Sequence, residues 1–142
     1  MRLSVVMKQL ILILLASFLL SGCKKAIENK VQDAILKAMT DGKWVITSFT
    51  TNGNDITSDF SAYKFQYFSD YTVDAIKNGA VDKTGTWQGD VNSMTIFANF
   101  PNAMNPLLLL NGTWHITNYD WTYVIANMTV GSEARALKLE KQ

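Results

Sequence analysis

The sequence predicts an all-β domain behind one N-terminal helix, with eight short antiparallel strands closing into a barrel or stacking as a two-sheet β-sandwich. Helical spacing of apolar residues is confined to one stretch before Gly42. From Lys43 onward, short runs alternate apolar and polar residues, the period of a half-buried strand. Asn, Asp, Gly and Ser separate the runs, as turns require.

Ahead of the helix, Arg2 and Lys8 precede an almost wholly apolar run from Leu10 to Leu20, which leads into Leu20-Ser21-Gly22-Cys23. The run is short for a bilayer span and suits the core of a secretory signal. The pattern resembles the lipobox of bacterial lipoproteins. That resemblance implies that the thiol of Cys23 is diacylated, the peptide before it removed, and the new amine acylated. Residues 1–22 are therefore expected to be a lipoprotein signal peptide, and residues 23–41 a lipid-anchored tether with an amphipathic helix. Residues 42–142 would form the barrel.

Within the second segment Cys23 to Asn29 is expected to be a tether, and the helix to run from about Ala26 to Met39. Ile27, Val31, Ile35 and Met39 recur every fourth residue, and Ala34 and Ala38 widen the stripe. Asp41-Gly42 should end it, since glycine accepts the left-handed conformation at a helix C-terminus. The polar face mixes Glu28, Lys30, Asp33 and Lys37, which favours docking on the domain over lying on a membrane.

The strands are expected at Lys43–Thr50, Tyr63–Phe68, Tyr71–Ile76, Lys83–Gln88, Met94–Ala98, Thr113–Asn118, Trp121–Asn127 and Arg135–Glu140. The clearest alternation sets Tyr63, Phe65 and Tyr67 against Lys64 and Gln66. Closing eight such strands would remove the exposed sheet edges. Periodicity by itself does not separate a barrel from a sandwich.

Three segments share a Gly-x-Trp core: Gly42-Lys43-Trp44, Gly85-Thr86-Trp87 and Gly112-Thr113-Trp114. The first opens the first strand just after the helix, where lipocalins carry their Gly-x-Trp signature. The later order of Tyr63–Phe68, Tyr71-Thr72-Val73, Met94-Thr95-Ile96 and Ala136–Glu140 resembles the small lipocalin-like lipoproteins of Gram-negative bacteria. The resemblance implies an eight-stranded up-and-down antiparallel barrel with Trp44 packed at its closed end. The chain lacks the disulfides common in animal lipocalins, because Cys23 is its single cysteine.

Composition narrows the function. Without residues 1–22 the chain loses two of its 13 basic side chains and keeps all 12 acidic ones. Such near-neutrality argues against a nucleic-acid partner, whose binders show a basic face. One cysteine excludes an internal disulfide and a Cys-based zinc cluster. His115, the lone histidine, should face solvent if Trp114 faces inward, because neighbours on a strand point to opposite sides. No nucleophile can be placed beside it, so no catalytic residue is assigned and the protein is not expected to be an enzyme. The scattered aspartates read as turn residues, and neither a metal site nor a cofactor is expected.

Two functional readings remain. Trp44, Tyr63, Phe65, Tyr67, Trp87, Trp114 and Tyr123 line the barrel or fill it. If they line it, the protein binds a small hydrophobic ligand, with Phe100, Met104, Leu107 and Leu108 as a lid at the entrance. If they fill it, the barrel is a protein–protein interaction or inhibitory accessory module. In either case the expectation is a monomer, held by Cys23 in the outer membrane and facing the periplasm.

Overall fold

A computed structural model describes residues 23–142, and the signal-peptide assignment for residues 1–22 lies outside that range. Residues 23–40 are helical (α1), so the expected tether belongs to the helix. The backbone N–H of Asp41 donates to the Lys37 carbonyl, and Gly42 follows with φ +86°, ending α1 where the sequence predicts.

Nine strands follow, all antiparallel to their neighbours: β1 (Trp44–Thr51), β2 (Asn54–Asp55), β3 (Tyr63–Tyr67), β4 (Thr72–Lys77), β5 (Ala80–Asp90), β6 (Thr95–Asn99), β7 (Gly112–Tyr119), β8 (Tyr123–Val130) and β9 (Glu133–Lys141). β2 is a two-residue arm folded back on the end of β1. The other eight form one continuous sheet in sequence order, and β9 returns to pair with β1. The closing ladder runs from Trp44 opposite Lys141 to Thr51 opposite Arg135. That closure makes the domain an up-and-down barrel, and the sandwich alternative falls. The narrowest seam is between β1 and β3, which share the single pair Trp44 and Phe65.

A bulge on β1 keeps a large side chain on the inside where strict alternation would turn it out. Trp44 and Ile46 point inward on β1, and Phe49, three residues on, does so as well. A register shift between Ile46 and Ser48 supplies the extra residue that restores the inward phase. A second bulge lies on β5, where Asp82 is the extra residue opposite Ala75 and Ile76 of β4.

The ends of the barrel differ. At one lie the start of β1, the turns after β3, β5 and β7, and the end of β9. Helix α1 covers this end. At the other lie β2, a 3-10 turn at Thr57–Phe60, and the long connection from β6 to β7. That connection carries a second 3-10 turn at Leu107–Leu110.

Candidate functional site

The barrel lumen is filled. Phe49 packs against Phe60, the rings tilted by 30° at 4.8 Å between centroids, and meets Trp114 edge-on at 5.8 Å. Tyr67 meets Trp87 edge-on at 5.3 Å, and Phe65 packs on Phe100 at 6.2 Å. The space left among Ile46, Phe65, Tyr67, Trp114, Val124 and Leu137 is about 30 Å³. A small-molecule site needs roughly 300 Å³ or more, so the lumen in this state holds no ligand of that size.

The predicted lid is part of that filling. Phe100 is fully buried, and its N–H donates to Oδ1 of Asn111 at 2.6 Å while Nδ2 of Asn111 donates back to the Phe100 carbonyl at 3.0 Å. Leu107 and Leu110 are also buried; Leu108 is half-exposed and Met104 is 83 % exposed. The segment is a stopper pinned at its base rather than an entrance, because a buried Phe and a two-bond amide clasp hold it in the core.

The large cavity is at the opposite end, under α1. It measures about 560 Å³ and runs between Ile27, Val31, Ala34, Ile35 and Ala38 of the helix and the rim of the barrel. Trp44, Trp87, Ile96, Ile116 and Val124 line its barrel side. The end of β5 and the turn after it contribute Asp90, Val91 and Met94, and the end of β7 and the turn after it Tyr119, Asp120 and Trp121. Lys30, Asp90, Thr95 and Asp120 are its main polar neighbours.

The groove exists because α1 is fastened at its C-terminal half and stands off at its N-terminal half. Met39 is buried in the core, with Ile35 and Leu36 packed against it. The indole N–H of Trp44 donates to the Met39 carbonyl at 2.9 Å, and Nε2 of Gln32 donates to the Gly89 carbonyl at 2.9 Å. Beyond these fastenings Val31 and Ile27 lack a partner surface and are 44 % and 63 % exposed. Trp121, on the facing turn, is 64 % exposed.

The seven aromatic candidates therefore separate. Trp44 and Trp87 form part of the groove wall, and Phe65, Tyr67 and Trp114 surround the residual space in the lumen. Tyr63 is buried near the far end, where its hydroxyl donates to Asp82 at 2.9 Å. Tyr123 is misplaced in the sequence reading. On β8 it is Val124, Ala126 and Met128 that are buried, which puts Tyr123 on the outer face, with the Lys138 ammonium 5.5 Å from its ring.

All three Gly-x-Trp tryptophans use the indole N–H to fasten a neighbouring segment. Trp44 holds the end of α1, Trp87 donates to the Phe68 carbonyl at 3.1 Å, and Trp114 to the Leu110 carbonyl at 2.9 Å. His115 is exposed, as its place beside Trp114 predicts. Among the described residues no three His, Cys, Asp or Glu side chains are grouped to hold a metal ion.

Asp70 lies in a turn, and Asp55 and Asp90 are the last residues of β2 and β5; each caps the backbone two residues on. Oδ1 of Asp70 accepts from the N–H and hydroxyl of Thr72, at 3.0 and 2.6 Å, and Asp55 does the same with Thr57. These bonds to the ionised form hold both carboxyls below the usual aspartate value. Asp90 is lowered by Ser93 and the Asn92 N–H in the turn beside the groove.

A closed eight-stranded antiparallel barrel, with a filled lumen and an apolar groove beneath an N-terminal helix, defines the class. Among solved structures, a DUF4847 family protein from Bacteroides vulgatus ATCC 8482 has a similar fold, with a TM-score of 0.55 at 14 % sequence identity. The match covers 76 % of this chain and 99 % of that one. No family model and no curated protein matches the sequence.

Proposed function

We propose that the chain is a lipid-anchored, lipocalin-like envelope protein that binds a small hydrophobic molecule in the groove beneath α1. The observation that carries this reading is the contrast between about 30 Å³ in the lumen and about 560 Å³ of largely apolar groove. The second volume lies within the range of small-molecule sites, with few polar groups for orientation. The barrel then serves as a rigid frame, and the helix as one wall of the site. Anchoring rests on the lipobox pattern at Leu20–Cys23. Lys24, rather than aspartate, after the cysteine favours the outer membrane, and the domain is placed on the periplasmic side as a monomeric binding protein, not an enzyme.

Native mass spectrometry of residues 23–142 carrying Cys23→Ser, after incubation with an envelope lipid extract, tests the binding. A 1:1 adduct that disappears in Ala34→Trp is expected. A clean apo mass would remove the ligand reading and leave the alternative, a protein-interaction module. Met104 and Leu108 at the stoppered end favour that alternative, because both expose apolar surface on the same connection. Their replacement by Ser would then abolish capture of the partner.

A further inference from the structure

We infer that the groove houses one of the acyl chains carried by this protein's own Cys23. This rests on the lipid-anchored reading above and deepens it by naming the occupant.

The first argument is direction. The groove positions on α1 (Ile27, Val31, Ala34 and Ala38) follow the spacing of one helical face. Four residues before Ile27, on the continuation of that face, is Cys23, which is exposed and helical. At 1.5 Å per residue it lies about 6 Å beyond the open mouth of the groove. Side chains on a helix lean toward its N-terminus, so Ile27 extends the apolar wall toward the sulfur.

Shape is the second argument. From Ile27 to Met39 the groove follows the helix for about 18 Å at the same rise. A volume of about 560 Å³ drawn out over that length suits a linear chain better than a fused ring system. The small side chains of Ala34 and Ala38 on the helix wall, and Gly89 opposite, leave the width of the groove open along its length.

Third, the tether decides between sources of the same chemistry. Either chain must leave the bilayer to enter, but one bonded at the head of the groove does so at the high effective concentration of an intramolecular partner. A triacylated cysteine that withdraws one chain keeps two in the membrane. The anchor then holds α1 and the Trp121 end of the barrel against the bilayer surface.

Photo-crosslinking of the lipidated protein in membranes tests this. Tyr119→p-benzoylphenylalanine places the reactive group on the groove wall with little change of shape, and the same substitution at exposed Val81 on β5 gives the background. The expected product joins the β7–β8 peptide to the Cys23 lipopeptide, and Ala34→Trp lowers it several-fold. Ala38→Phe is read alongside, so that misfolding of one blocking variant leaves the other. A phospholipid adduct instead would overturn the inference while leaving the groove a lipid site. No adduct above the Val81 background would overturn it too. An N-terminal peptide with unmodified Cys23 would remove the anchored reading itself.

Discussion

The indole N–H of Trp44 and the carbonyl oxygen of Met39 are joined at 2.9 Å, tying the first residue of β1 to the last turn of α1. Both residues are buried, and the Lys141 ammonium lies 5.2 Å from the Trp44 ring on the closing strand. One side chain thus links the helix, the barrel seam and the groove wall. Trp44→Ala should cost about 3–5 kcal/mol as a core truncation. Trp44→Phe keeps most of the packing but leaves a buried carbonyl unpaired, and should cost about 1–3 kcal/mol. Chemical denaturation measures both, and an unchanged midpoint in Trp44→Ala would contradict the placement.

Gly85 on β5 has no room for a side chain. A β-carbon there would lie 2.5 Å from the Asn99 carbonyl oxygen and 2.8 Å from Cδ1 of Phe100. Since the first is backbone and Phe100 is pinned by Asn111, Gly85→Ala should destabilise by about 1–3 kcal/mol. Gly89→Ala, on the same strand, meets nothing closer than 3.9 Å and should change stability by less than about 0.5 kcal/mol. Equal effects at the two sites would refute the close approach of Phe100.

The strands were legible because each reports locally: Tyr63, Phe65 and Tyr67 need only a period of two to be assigned inward, and all three are buried. Bulges were not, because Thr47 carries no mark of the extra residue that turns Phe49 inward. Tyr123 went wrong for a related reason. The predicted strand began at Trp121, but Trp121 and Thr122 belong to the turn, so phase had to come from Val124 onward. The apolar stripe of α1 was legible, yet the groove is a shortfall of packing between that stripe and two hairpin turns. No local pattern encodes where a helix stops touching its neighbour. The one available signal was Trp121 beside Asp120, an aromatic residue in a turn where polar ones are the rule.

Acid should weaken the domain through its turns. Asp55, Asp70 and Asp90 are lowered chiefly by side-chain hydroxyl donors and then by backbone N–H groups. A carboxyl lowered by folding contributes stability that is complete above its unfolded value and lost as pH falls through the folded one. The unfolding midpoint should thus be flat between about pH 5 and about pH 9 and decline below about pH 4, with the decline shallower in Asp70→Asn. An identical acid slope in that variant would show that the Thr72 bonds add nothing.

At the alkaline end Tyr67 has the opposite sign. Burial alone pushes its phenol well above the ordinary 10.0. A group raised by folding contributes fully below its unfolded value, and that contribution fades as pH climbs toward the folded one. Stability should fall from about pH 10 upward, and Tyr67→Phe should flatten the fall. Ultraviolet titration of the native protein should leave Tyr67 un-ionised until the barrel opens. A native titration curve unchanged in Tyr67→Phe below the unfolding transition is expected; loss of an early ionisation step in that variant would place Tyr67 outside the core.

Met94 offers a way to separate stability from binding. It is half-buried on the groove rim in the β5–β6 turn, and its φ of +52° is left-handed, a region that bulky residues seldom occupy. Such strain costs of order 1–2 kcal/mol and is retained where the surroundings hold it. Asparagine tolerates the conformation through its short polar side chain, so Met94→Asn should raise stability by about 0.5–1 kcal/mol. The same change puts an amide where the groove presents a flexible thioether, and burying an unpaired amide is unfavourable. Affinity for a hydrophobic probe should accordingly fall several-fold, measured by fluorescence titration of residues 23–142 carrying Cys23→Ser. A variant that lost stability and kept its affinity would show that Met94 is held there by packing and takes no part in the groove.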